Sequence, residues 1–218
     1  MTNTLTSAPV APLLHRLFAE ADLARAALDA IPADERARVM RNRADYIAFY
    51  SLLKDQPLPV SRETGALLYM LARHAGVREI VEFGTSFGLS TLHLAAALRD
   101  NGGGHLITCE FEPSKVERAR ENIAAGELTD LVEIRVGDAL QTLRDNLPDA
   151  IDLVLLEGAK SLYPQILDLL ESRLRPGALI VADNADDSPE YLARVRSPAS
   201  GYLSTPFAGD VELSMRLG

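Results

Sequence analysis

The sequence contains no tryptophan and only one cysteine, Cys109. Without an indole, aromatic stacking on a ligand falls to Phe or Tyr. A lone thiol excludes an intramolecular disulfide and fits a reducing cytoplasm. Set in an apolar run, Cys109 reads as core filler. No stretch approaches the ~18 uninterrupted apolar residues of a membrane span, so none is expected. Met1 to Val10 is small and polar, with neither a basic start nor an apolar run, and predicts no signal peptide. Positive charge is scarce too, with 22 Lys and Arg against 31 Asp and Glu and a formal charge of −9. That deficit argues against a broad phosphate-binding surface and against nucleic acid as a partner. The four histidines, His15, His74, His93 and His105, are scattered without ligand spacing.

What is present is an ordinary globular composition, 47% hydrophobic and 24% charged over 218 residues. That suffices for one sizeable core. Pro12–Ile31 and Ala33–Leu53 carry apolar residues at three- and four-residue steps and read as helices. Asp55-Gln56-Pro57-Leu58-Pro59 breaks the pattern. Ser61 then serves as N-cap for a helix to about His74, with Gly76 as its stop. Residues 1–55 thus form a helical extension, shaping a substrate cap or dimer contacts, and 56–218 the main domain. From Arg78 onward, short apolar runs alternate with helical stretches: Ile80–Phe83, Leu106–Cys109, Val132–Val136, Ile151–Leu156 and Leu179–Ala182. Runs apolar on both faces, separated by helices, imply a parallel sheet covered on both sides. Tyr202–Phe207 and Val211–Leu217 are joined by Ala208-Gly209-Asp210, too short for a crossover helix, and predict an antiparallel hairpin. The expected fold is α/β, with a seven-stranded, mostly parallel sheet.

In such sheets, ligands bind outside the carboxyl ends of the strands. The first strand runs into Gly84-Thr85-Ser86-Phe87-Gly88, where two glycines let the backbone approach a ligand closely. Their spacing is not the G-x-G-x-x-G of dinucleotide enzymes, which disfavours a pyrophosphate. The second strand ends at Glu110, 22 positions after Gly88. That is close to the ~20-residue offset at which an acid meets ribose hydroxyls. The third ends in Gly137-Asp138-Ala139, where Asp138 is either an adenine-edge contact or simply the N-cap of the next helix.

These residues resemble the cation-dependent O-methyltransferase family that includes the catechol and caffeoyl-CoA O-methyltransferases and their bacterial relatives. The resemblance covers roughly Val60 to Leu217. It rests on Val60-Ser61-Arg62-Glu63-Thr64-Gly65, Glu82-x-Gly84-Thr85-Ser86-x-Gly88-x-Ser90 and Glu110-Phe111-Glu112-Pro113. It continues through Gly137-Asp138-Ala139, Leu156-Glu157-Gly158-Ala159-Lys160-x-x-Tyr163, Arg175-Pro176-Gly177, Ala182-Asp183-Asn184 and Thr205-Pro206-Phe207-Ala208-Gly209-Asp210. The resemblance implies a Rossmann-like class I methyltransferase fold, S-adenosylmethionine as cofactor, a hydroxylated aromatic acceptor and a homodimer. Val60, Glu82, Gly84, Thr85 and Ser90 would hold the methionine end, with Ser86 and Gly88 in the same turn. Glu110 would hold the ribose, and Asp138 with Ala139 the adenine. The family's metal ligands would fall on Glu157, Asp183 and Asn184, and its catalytic lysine on Lys160.

Two carboxylates and an amide carbonyl are hard oxygen donors suited to Mg²⁺. A nearby cation would push Lys160 toward the neutral base. The chain departs from the family in two places. Glu157 stands where Asp is usual, and Ala185-Asp186-Asp187-Ser188-Pro189 replaces the Leu-Trp-x-Gly segment. Glu157 is therefore either a metal ligand or a hydrogen-bonding group near the sulfonium, and Lys160 either a base or a solvated lysine at a helix start. The rival readings are a metal-independent methyltransferase, a tRNA-modifying methyltransferase, an NAD-binding oxidoreductase and a non-catalytic S-adenosylmethionine sensor.

Overall fold

The computed structural model describes residues 3–29, 50, 51, 53–207 and 209–218. The expected helix Ala33–Leu53 lies almost wholly outside them, as do Arg41, Arg43 and Tyr46, which could form a substrate lid. Helix α1 (Val10–Asp29) starts before the expected Pro12 and is followed by α2 (Arg62–His74). The side chain of Ser61 accepts a hydrogen bond from Thr64 N (2.9 Å) and sets the start of α2.

Strand and helix then alternate through β1 (Glu79–Phe83), α3 (Leu89–Asp100), β2 (His105–Glu110), α4 (Pro113–Ala125), β3 (Val132–Val136), α5 (Ala139–Thr142) and β4 (Ile151–Leu156). The chain continues through α6 (Tyr163–Leu170), β5 (Leu174–Ala182), α7 (Pro189–Val195), β6 (Tyr202–Phe207) and β7 (Val211–Arg216). β5 begins five residues ahead of the expected Leu179, its register on β4 shifting between Ile151 and Leu153.

One seven-stranded sheet has the order β3-β2-β1-β4-β5-β7-β6. Its first five strands pair in parallel, while β7 pairs antiparallel with β5 and β6. Successive strand side chains point to opposite faces, so the uninterrupted apolar runs feed two cores. Ile80, Leu153 and Leu155 pack on one face with Leu92 and Leu98 of α3 and Leu17 of α1. Val81, Val154 and Leu156 pack on the other with Ile166 of α6 and Tyr191 of α7. α1 therefore shares its core with the sheet. None of the described helices is long and apolar enough to cross a membrane.

Candidate functional site

Chain order reverses between β1 and β4, and there the strand ends converge. Backbone bonds carry the pairing past the sheet, from Glu157 N to Phe83 O (2.8 Å), Gly137 N to Glu110 O (2.9 Å) and Asp183 N to Leu156 O (3.0 Å). Gly84 has φ +101°, and a Cβ there would lie 2.7 Å from Gly158 N. A Cβ on Gly158 would in turn lie 2.4 Å from the Phe83 ring. The two turns touch backbone to backbone, which only glycine permits.

Between the turns opens a cavity lined by Gly84, Ser86, Glu110, Asp138 and Ala139 among others. Glu110 Oε2 accepts from Ser86 N (2.9 Å) and Oε1 from Glu112 N (3.0 Å), fixing the carboxylate at the cavity wall. Burial raises its pKa, against the pull of Lys115 and these N–H groups. Asp138 caps α5 through Leu140 N (2.9 Å), as the N-cap reading expects, and it also lines the cavity.

Other members of the expected cofactor set stand elsewhere. Glu82 is fully buried and accepts from Ser90 Oγ (2.5 Å) and Thr91 Oγ1 (2.6 Å). Thr85 Oγ1 bonds Thr108 Oγ1 (2.6 Å), and Gly88 is the left-handed N-cap of α3. These residues brace the turn and are not on the cavity lining. Val60 lines a second, adjoining cavity together with Phe18, Arg62, Lys160, Asp183, Asn184 and Asp210.

The floor of the second cavity is charged. Lys160 Nζ donates to Glu157 Oε2 (3.1 Å) and to Glu157 O (3.2 Å), and lies 5.5 Å from the Tyr163 ring centre. Lys160 is only 2% exposed, which excludes the solvated-lysine reading. Burial alone would depress its pKa, but Glu157 and its neighbours hold the ammonium well above the ordinary lysine range. Glu157 is itself raised well above the usual carboxylate range, by burial first and then by the charge of Asp183. The Tyr163 hydroxyl donates to the carbonyls of Leu156 (2.7 Å) and Asp183 (2.8 Å), locking β4 to β5 at this end. Asn184 sits in the left-handed region at φ 48°, and its amide nitrogen donates to Asp210 Oδ2 (2.9 Å).

The donor set suits a small, hard cation: two carboxylates and the amide oxygen of Asn184 on adjacent strand ends. A single ammonium balances only one of the two carboxylates. Among the described residues no group of three His, Cys, Asp or Glu side chains could hold a metal ion.

Sequence reasoning missed Tyr50, Leu58, Phe111 and Lys115. Tyr50 and Leu58 line both cavities; Phe111 and Lys115 line the first. Phe111 follows Glu110 directly, so its neighbour signalled it. Nothing in the periodicity marks the other three.

A methyltransferase-domain family model matches residues 81–185. A catechol O-methyltransferase of Niastella koreensis is 35% identical over 130 residues, 58% of this chain and 58% of that protein. One from Mycobacterium tuberculosis is 34% identical over 127 residues, 58% of this chain and 57% of that protein. The chain thus spans less than two thirds of the length of these curated relatives. Among solved structures, the O-methyltransferase TomG from Streptomyces achromogenes, in complex with S-adenosylmethionine, superimposes with a TM-score of 0.65 at 28% identity, covering 83% of this chain and 90% of that one. Residues 81–185 match the methyltransferase-domain family, and by its sheet order and these likenesses the chain has the class I methyltransferase fold and is similar to catechol O-methyltransferases.

Proposed function

We propose that this protein transfers a methyl group from S-adenosylmethionine to a hydroxyl of a small, hydroxylated aromatic molecule. One observation carries the reading: the two cavities share a wall made by Tyr50, Leu58 and Glu157. A ligand held at Glu110 in the first can therefore present its reactive end to an oxygen held near Lys160 in the second. Asp138 and Ala139 take the adenine, Glu110 the ribose, and Gly84 and Ser86 the approach to the methionine end. Glu82, Thr85, Gly88 and Ser90 hold that turn from behind, and Val60 lies at the border with the acceptor.

In this reading the acceptor oxygen attacks the methyl carbon in line. The carbon–sulfur bond breaks, and S-adenosylhomocysteine leaves. Most of the acceleration comes from alignment of the two reactants. Lys160 is the catalytic residue. Its ammonium, held by Glu157, donates to the acceptor oxygen. The sulfonium charge of the bound cofactor favours release of one ammonium proton to Glu157, and the resulting neutral amine takes the hydroxyl proton. Glu157, Asp183 and Asn184 would hold Mg²⁺, which when bound lowers the pKa of the acceptor hydroxyl. A metal-independent transfer is the second reading, favoured by Lys160 already standing 3.1 Å from Glu157 as a resident cation. We further read the enzyme as a cytoplasmic homodimer. The buried single thiol of Cys109 supports the compartment, while the dimer rests on resemblance and is tested by light scattering.

Methyl transfer to a panel of catechols, in Mg²⁺ and in EDTA, tests the chemistry, and calorimetry with S-adenosylmethionine tests the site. Turnover that chelation leaves unchanged removes the metal but keeps the enzyme. Failure to bind the cofactor at micromolar concentrations removes the whole reading.

A further inference from the structure

The chain has three lysines, Lys54, Lys115 and Lys160. Lys54 is exposed, whereas Lys115 and Lys160 are 3% and 2% exposed. Glu157 meets the ammonium of Lys160. The ammonium of Lys115 makes no hydrogen bond or ion pair with a described residue, and Glu110 and Glu112 act on it only as nearby charges. Lys115 also stands in the first turn of α4, where the helix dipole disfavours a cation. With most of the side chain buried and no described protein group bonded to it, the ammonium at the positive end of this helix is open to a partner that is not part of the protein.

The cavity says where that partner sits. Lys115 lines it beside Glu110, and among the described lining residues it is the only cation. Both oxygens of Glu110 already hold a backbone N–H, from Ser86 and Glu112, and keep lone pairs free to accept hydroxyl protons. A ribose hydroxyl that donates to Glu110 still has lone pairs of its own. Glu112 and Asp138, also on the lining, are acceptors and cannot fill them. A lysine ammonium can.

We propose that Lys115 donates a hydrogen bond from Nζ to a ribose hydroxyl oxygen of the bound adenosyl ligand, so that the diol is held between an anionic acceptor and a cationic donor. The inference rests on the reading of this cavity as the adenosyl site. It makes Lys115 a binding residue that discriminates adenosyl ligands with an intact diol from their deoxy analogues.

The test is calorimetry on the purified full-length chain with S-adenosylhomocysteine and its 2′-deoxy and 3′-deoxy analogues, for the wild type and for Lys115→Met. A hydrogen bond to a charged group predicts that K115M weakens S-adenosylhomocysteine by roughly 10- to 100-fold. One of the two analogues, already weakened on the wild type, should lose nothing further on K115M. Equal binding of S-adenosylhomocysteine by both proteins would overturn the proposal. So would an equal factor of loss for all three ligands, the signature of a distant charge. If K115M does not fold, the wild type labelled with ¹⁵N-lysine serves instead. The Lys115 ammonium resonance should shift with S-adenosylhomocysteine and not with the discriminated analogue, and a resonance unmoved by S-adenosylhomocysteine overturns the proposal. A wild type that binds no S-adenosylhomocysteine overturns the adenosyl reading together with the inference, an outcome distinct from one in which K115M alone behaves as wild type.

Discussion

Lys160 Nζ lies 3.1 Å from Oε2 of Glu157, three residues upstream, with the two side chains only 3% and 10% exposed. Removing one member of such a pair strands the other charge in a dry site, at about 3–5 kcal/mol, whereas removing both strands none. Glu157→Gln should therefore destabilise the protein more than Glu157→Gln combined with Lys160→Met. Urea unfolding of the single and double variants measures the coupling, and strictly additive losses would show that the pair is not a unit.

The same lysine predicts a split between binding and turnover. Lys160→Met should reduce methyl transfer by roughly 10²- to 10⁴-fold, the usual scale for a lost proton-transfer group. Affinity for S-adenosylhomocysteine should stay within a few-fold of wild type, because Lys160 faces the second cavity. Steady-state kinetics beside calorimetry would show it. A loss of cofactor affinity as large as the loss of turnover would assign Lys160 to the adenosyl site instead.

Gly84→Ala places a methyl group 2.7 Å from Gly158 N on a backbone at φ +101°. Neither turn can move without pulling on β1 or β4. The variant should lose thermal stability and at least ten-fold in cofactor affinity, about 1.4 kcal/mol or more. Differential scanning fluorimetry with and without S-adenosylhomocysteine gives both readouts, and a wild-type ligand shift in the variant would contradict the close approach.

Asp152 ties its own strand, β4, to β1 and β5 at the opposite end of the sheet. Its Oδ2 accepts from Arg78 N (2.7 Å) and Glu79 N (2.9 Å), and its Oδ1 from Arg175 Nε. Burial works against the charge, but these donors hold its pKa below the ordinary carboxylate value. A depressed folded pKa means that the stabilisation is present above the unfolded pKa of about 3.9 and is lost as pH falls through the folded value. Asp152→Asn should cost about 1–3 kcal/mol at pH 7. The gap to wild type should close in acid. Unfolding curves at pH 7 and pH 3 check the sign.

Tyr69 donates to Asp100 Oδ2 (2.6 Å), which is also held by Thr4 N (3.0 Å). Burial first, and then this carboxylate, push the phenol up to about 12. Because the fold favours the neutral phenol, its stabilisation is complete below pH ~10, the ordinary tyrosine value, and fades as pH rises through the folded pKa. The ultraviolet difference titration of wild type minus Tyr69→Phe should show one tyrosine ionising near 12, and a midpoint near 10 would refute the contact.

Much of this architecture was legible from local pattern. Doubly apolar runs such as Ile151–Leu156 separated by helical periods can be satisfied only by a sheet covered on both faces, and the Gly84 turn and Glu110 follow as its strand ends. The structure bears out that topology, with the closing hairpin in place. The true start of β5 at Leu174 was hidden because Pro176 and Gly177 interrupt its apolar run.

Within the site, the sequence by itself determined which residues stand at the strand ends, since the period of a strand or helix is a local property of the backbone. Tertiary structure alone decided which of them face a cavity. Glu82 and Ser90, in the same motif as Gly84, turn toward each other behind the turn. Glu157 stands beside the charge of Asp183 only because β4 and β5 pair, and Tyr50 lines both cavities from a segment far away in the chain. The reason is physical: a side chain's exposure and charge depend on the groups that other segments pack around it, and no periodicity within its own segment encodes them.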